Sequence, residues 1–276
     1  MKKKIFDIIS ALLVISILAF IFIQLSPGDP AENYLRASHL PITDELLKQK
    51  REELGLNSPL LIQYLKWLKN VLLGNFGYSF LRKEPAIYLT FKSLYATFQL
   101  TIFSTFLIIL ISLPIGILSA VKTGTWIDKI IISITTIFVS MPVFWLGFSL
   151  ILLFSVKLNW LPVSGRGGFL NFVLPSITLS VPFIGQYIEF IKKSILENIQ
   201  NNLLENAKLR GLKKRYIIFN YLLKGAWIPI LSGFSFTFIS ILTGSILVEE
   251  IFSWPGIGFL FTKAIQTGDV PLIQTC

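Results

Sequence analysis

Apolar residues fall in five long blocks separated by more polar stretches, some short and some long. The blocks run Ile5–Leu25, Leu94–Val121, Ile130–Val156, Phe172–Ile191 and Ala226–Val248. A helix rises about 1.5 Å per residue, so about 20 apolar residues cross a bilayer. The pattern therefore predicts five membrane-spanning helices. The first carries no Pro or Gly. The others contain Pro114 and Gly116, Pro142 and Gly147, Pro182 and Gly185, and Gly233 and Gly244. Such residues bend membrane helices or let neighbours approach closely. They serve ordinary helix packing, and they also suit a pathway that opens and closes.

The first block follows MKKK and leads into SPGDP with no small-x-small cleavage pattern, so it is expected to stay as an uncleaved span. Residues 26–93 then form an extramembrane region with helices of its own. In TDELLKQKREELGL, Thr43 is placed to cap a helix with acids in its first turn, and Gly55 to end it. In PLLIQYLKWLKNVLLG, Leu61, Tyr64, Leu65, Leu68 and Leu72 recur at helical spacing. They predict an amphipathic helix with its apolar face on the membrane surface or on other helices. The organisation read from the pattern is a first helix (1–25), a loop region (26–93) and a helical core (94–276), which contains a polar stretch at 192–225.

Composition agrees. The chain is 53% hydrophobic and 14% charged, against about a quarter charged for soluble domains. The class is all-α and polytopic. Its net charge of +10 is explained by topology rather than by nucleic acid. With the N-terminus in the cytoplasm, thirteen Lys and Arg fall on cytoplasmic segments and three on short external ones. The long first loop holds the rest and lies outside the rule.

Several chemistries are excluded. There is no GxxxxGK[ST] phosphate loop, no HExxH and no G-x-S-x-G. The one cysteine, Cys276, permits no intrachain disulfide, and the lone His39 makes no metal site. Glu189 and Lys192 have the spacing of a helical ion pair. Proton- and sodium-coupled carriers place titratable groups inside the membrane. Here such groups are scarce, so transport would draw its energy from elsewhere.

The polar stretch NNLLENAKLRGLKKRYIIFNYLLKGAWIP, residues 201–229, interrupts the apolar pattern. Leu203, Ala207 and Gly211 share one helical face, and its two small residues permit close approach to the backbone. Leu204 adds apolar area, Lys208 and Arg210 flank the face, and Glu205 suits the start of a helix. A basic helix lying on anionic headgroups explains the cations. A docking helix for a soluble partner explains the small-residue face as well.

This stretch resembles the cytoplasmic signature loop of importer permeases of the ATP-binding-cassette (ABC) superfamily, the Glu-Ala-Ala…Gly pattern. Glu205, Ala207 and Gly211 match it, and Asn206 replaces the first Ala. The distance to Pro229 is that of the dipeptide, oligopeptide and nickel permeases. LSPGDPA, LLIQYLKWLKNVLLGNFGYS, SMPVFWLGFSLILLFSVKLNWLPVSG, LPSITLS and ILVEEIFSWPGIGFLFTKAIQTGDVPLIQ resemble the same family in the same order. Asn75 stands where the family often has Asp.

The resemblance implies a type I ABC importer permease fold in a bacterial or archaeal cytoplasmic membrane. It implies uptake of di- or oligopeptides or nickel chelates. The implied partners are a second homologous permease, two ABC ATPases, an extracytoplasmic substrate-binding protein and membrane lipid, with no nucleic acid. ATP and magnesium would belong to the ATPases, so the chain itself carries no cofactor and is no enzyme. Leu203, Leu204, Glu205, Ala207, Arg210 and Gly211 would sit in an ATPase groove, and the fourth and fifth spans would act as the lever. Ser140, Pro142 and Trp145 are candidates for lining a path, or for helix packing. The family's sixth span is missing after DVPLIQTC, so either the sequence is truncated or the protein is incomplete, and Cys276 is expected outside. A self-sufficient secondary carrier or channel and a non-transport scaffold are the competing classes.

Overall fold

The computed structural model describes residues 2–25, 28–199, 211, 216 and 223–276. In chain order its helices are α1 (Lys2–Leu25), α2 (Pro30–Ala37), α3 (Asp44–Glu53), α4 (Leu60–Leu72) and α5 (Ala86–Val121). Then come α6 (Trp126–Ser140), α7 (Val143–Leu150), continued by a π-helical segment Ile151–Lys157, and α8 (Leu170–Ile199). The last are α9 (Leu223–Gly244), α10 (Ile246–Ile251), α11 (Ile257–Thr267) and α12 (Val270–Thr275). Among the described residues there is no strand, only an isolated bridge between Tyr78 and Pro85.

Two compact units emerge, one of residues 1–94 with 259–276 and one of residues 95–258. The boundary falls inside α5 and assigns the end of the chain to the first unit.

In the first unit, local capping sets the small helices. Asp29 Oδ1 accepts from Ala31 N at 3.0 Å and caps α2, while Asp29 Oδ2 pairs with Arg51 of α3 at 2.7 Å. Thr43 Oγ1 accepts from Leu46 N at 3.4 Å at the start of α3, and Gly55 follows its end at φ +70°. The apolar positions of α4 divide between two environments. Leu61, Leu65 and Leu72 are exposed, whereas Tyr64 and Trp67 pack on Phe20 of α1, with ring centroids 5.5 and 6.3 Å away. The Tyr64 hydroxyl also meets Ser16 Oγ at 2.9 Å. The carboxylate of Asp269, buried ahead of α12, accepts from Ser79 Oγ at 2.6 Å, Leu81 N at 3.3 Å and Leu272 N at 3.4 Å. It closes the Ser79–Pro85 turn onto the last helix.

The second unit is the helical core. By length and composition, α1, α5 and α9 are apolar enough to cross a membrane, with up to one more if α6 and α7 count together. The expected third span is not one helix. α6 and α7 meet at 96°. Met141 is extended (φ −77°, ψ 123°) because a residue before proline is pushed out of helical geometry, and Pro142 starts a new helix. Elsewhere the helix runs on through Pro114, Pro175, Pro182 and Pro229. The fifth block also ends early, because α9 stops at Gly244 and Val248 lies in the separate α10.

α8 is long enough to span but does not qualify on apolarity. It packs against α6, α7, α9 and α10, and buries Ser176, Thr178 and Ser180 beside Leu174, Leu179 and Ile184. A helix surrounded by other helices meets protein instead of lipid and carries hydroxyls at little cost when they are bonded. Thr178 Oγ1 donates to Leu174 O at 2.8 Å.

Candidate coupling and translocation site

The proposed docking stretch lies between α8 and α9. Leu203, Leu204, Glu205, Ala207 and Arg210 lie outside the described residues. Gly211 is described. It is exposed at φ +70°, and among the described residues a β-carbon there would meet nothing within 4 Å. Left-handed backbone of this kind commonly ends helices and favours glycine. Gly211 thus has a conformational reason to be glycine.

The two helices that flank the stretch are locked together. Tyr187 of α8, almost wholly buried, donates its hydroxyl to Ile230 O of α9. Its ring lies 4.3 Å from that of Phe234. Phe190 sits on Gly233, where any β-carbon would run into its ring. Ala226 and Ile230 are fully buried on the same side.

α8 also approaches α5 and α6 closely at small residues. A β-carbon on Gly116 of α5 would fall 2.8 Å from Ile191 Cβ, and one on Gly185 of α8 would fall 2.8 Å from Thr135 O of α6. Nearby, Asp128 gathers three donors. Its Oδ1 accepts from Ser119 Oγ at 2.6 Å and from Lys192 Nζ at 2.6 Å, and its Oδ2 from Gly124 N at 3.0 Å. The pairing expected between Glu189 and Lys192 is therefore replaced. Lys192 reaches α6, and Glu189 accepts from Thr135 Oγ1 at 2.9 Å. Beside this joint, an apolar cavity of about 530 Å³ separates parts of α5, α6 and α8, lined by Leu107, Ile111, Phe138 and Ile184 among others.

Ser140, Pro142 and Trp145 all lie at the sharp break between α6 and α7. All three are exposed, and Trp145 keeps 54% of its surface accessible. Beyond them, Leu146 and Gly147 turn inward, with Gly147 close to Ile251 and Thr178.

One buried carboxylate was not singled out from sequence. Glu249 of α10 is fully buried. Its Oε1 accepts from Thr97 Oγ1 at 2.6 Å and Ser245 Oγ at 3.0 Å, and its Oε2 from Gly258 N at 2.8 Å. A side chain at Gly256 would fall on the carboxylate itself, and one at Gly258 would crowd it. Trp254, also fully buried, donates Nε1–H to Ala96 O at 3.0 Å. The signal lay in EEIFSWPGIG, where glycines follow an acid that directly trails an apolar block.

Residues 112–276 match the family described as the inner membrane component of binding-protein-dependent transport systems, and residues 1–101 match its N-terminal region. The chain belongs to this family. The permease is 33% identical over 281 residues to the probable peptide ABC transporter permease protein y4tP of Sinorhizobium fredii, covering 99% of this chain and 89% of that one. It is 35% identical over 278 residues to the nickel import system permease protein NikB of Staphylococcus aureus, covering 100% and 83%. Its fold resembles a chain of the MetNI methionine ABC transporter at 21% identity and TM-score 0.55, over 70% of this chain and 90% of that one. It is therefore an ABC importer permease, a multi-pass inner-membrane component and not itself catalytic.

Proposed function

We propose that this permease converts ATP hydrolysis in separate ATPase subunits into alternating access for di- or oligopeptides or nickel chelates. It would act beside a second permease, with two ATPases in the cytoplasm and a binding protein outside. The N-terminus would be cytoplasmic, as the distribution of Lys and Arg supports. The relatives y4tP and NikB are named for peptide and for nickel, which supports these cargo classes.

The carrying observation is the locked pair α8–α9. The docking stretch joins the ends of these two helices, and Tyr187, Phe190, Ile230 and Gly233 hold them as one piece. A push on the stretch, including Leu203, Leu204, Glu205, Ala207 and Arg210, would be delivered to both together. The path would pass the corner at Ser140, Pro142 and Trp145. Asp128 and Glu249 each satisfy several donors, which suits structural carboxylates better than ion-coupling ones.

The test uses the full complex in proteoliposomes. Gly211→Trp places bulk on the docking face and is expected to abolish uptake and substrate-stimulated ATP hydrolysis while the permease still inserts. Gly211→Asn tolerates the left-handed turn and keeps the face small, so it is expected to retain most activity. Glu205→Ala is expected to be milder than Gly211→Trp. Normal uptake by Gly211→Trp would overturn the proposal.

A further inference from the structure

The ion pair between Asp128 and Lys192 is largely buried, with side chains 5% and 15% exposed. A buried pair adds little net stability over a well-packed apolar substitute. Its presence calls for another reason, and its position supplies one. Lys192 lies about two turns before α8 ends at Ile199, where the chain enters the docking stretch. Asp128 stands in the first turn of α6, where the helix dipole favours a carboxylate. Through Ser119 and Gly124 it also holds the end of α5 and the turn that joins α5 to α6.

Besides single hydrogen bonds, from Thr135 Oγ1 to Glu189 at 2.9 Å, Ser112 Oγ to Ile184 O at 3.4 Å and Ser180 Oγ to Ser104 O at 3.3 Å, the other links in this region are apolar or are contacts of small residues. Gly116 seats Ile191, and Gly185 seats Thr135 and Val139. Such contacts resist compression but allow sliding along the helix axis. A charged pair at 2.6 Å, with its carboxylate anchored by two further donors, resists sliding as well. The apolar cavity nearby means that α5, α6 and α8 are not packed together throughout their length.

We propose that Asp128 and Lys192 are positioning residues that transmit displacement of the docking stretch from α8 to α5 and α6. Without the pair, α8 and α9 move under the ATPase while the α5–α6 turn lags. ATP is then consumed with little transport. This rests on the coupling role proposed above.

The test measures substrate taken up per ATP hydrolysed by the complete transporter in proteoliposomes. Asp128→Asn and Lys192→Met are expected to keep substrate-stimulated hydrolysis and to lower that ratio by about tenfold, within the usual span of coupling between sites. Lys192→Arg keeps the charge and is expected to retain at least about half of the ratio, because a guanidinium also bonds a carboxylate. Ser119→Ala leaves both charges in place and guards against misfolding of the others. It is expected to lower the ratio by about two- to fivefold, less than Asp128→Asn does, because Lys192 and Gly124 N still hold the carboxylate. An unchanged ratio in Asp128→Asn and Lys192→Met overturns the proposal, or in Ser119→Ala should those two fail to insert. So does a parallel fall in uptake and hydrolysis that leaves the ratio intact. Gly211→Trp run alongside separates the two ideas. If it blocks hydrolysis while Asp128→Asn keeps the normal ratio, only the ion-pair proposal fails. If Gly211→Trp transports normally, the coupling role itself fails.

Discussion

Thr97 of α5 donates its hydroxyl to Glu249 Oε1 of α10 at 2.6 Å, and Thr97 Oγ1 itself accepts from Ile257 N at 2.8 Å. One threonine thus ties a buried carboxylate to the turn that follows it. Thr97→Val preserves shape and removes both bonds. It is expected to destabilise the permease by about 1.5–3 kcal/mol, the usual worth of a hydrogen bond to a charged group. Thermal unfolding in detergent micelles reads this out, and an unchanged Tm would refute it.

Gly256→Ala tests the same cradle from the other side. The added methyl falls on the Glu249 carboxylate, which is enclosed and has no room to retreat. Overpacking of this kind costs about 1–3 kcal/mol. A lower Tm is expected, together with weaker hydrogen-exchange protection at Gly258 N, which donates to Glu249.

Between α8 and α9, Tyr187→Phe removes one hydroxyl from a buried site and leaves Ile230 O without that donor. The expected loss is about 1 kcal/mol, with the ring packing on Phe234 retained. Gly233→Leu is expected to be far worse, because it evicts Phe190. Uptake assays should show near-normal transport for the first and none for the second.

Asp269→Ala should act locally. Its carboxylate holds Ser79 Oγ and Leu81 N. Removing it is expected to speed amide exchange at Leu81 and through the turn that Ser79 and Lys83 close at 3.0 Å. Exchange in α8 should stay at its original rate.

Arg36→Ala is the control. Arg36 and Glu32 form an exposed pair one turn apart on α2. Its removal is expected to change stability by no more than about 0.5 kcal/mol, as for other exposed helical pairs.

Much of this fold was legible in the pattern of apolar blocks, because a helix facing lipid has to be apolar over its whole length. α1, α5 and most of α9 follow that rule. Thr43 and Gly55 bounded α3 through local capping, which needs no tertiary knowledge. What pattern could not show was direction at the prolines. Pro114 and Pro142 have equal standing in the sequence, yet one sits within a continuous helix and the other ends one, since the outcome depends on how neighbours hold the freed backbone. On α4, spacing marked Tyr64, which packs on Phe20, and did not mark Trp67, which joins it there.

Around the candidate site, side-chain pairings were the least legible feature. A helical repeat brought Leu203, Ala207 and Gly211 together on the page, although the left-handed turn at Gly211 is a backbone property that spacing does not carry. Lys192 had a tempting partner three residues away and took one 64 residues away instead. Glu249 drew no notice because its donors come from three separate places in the chain. Long-range polar contacts leave no periodic trace.

The corner at Met141 and Pro142 has a consequence for hydration. A helix that stops leaves its final carbonyls without donors from a following turn, and proline offers no N–H to replace them. In hydrocarbon, each such group costs several kcal/mol. That elbow therefore cannot face lipid tails. It must border protein or solvent, which makes it a moist crevice in an otherwise oily slab.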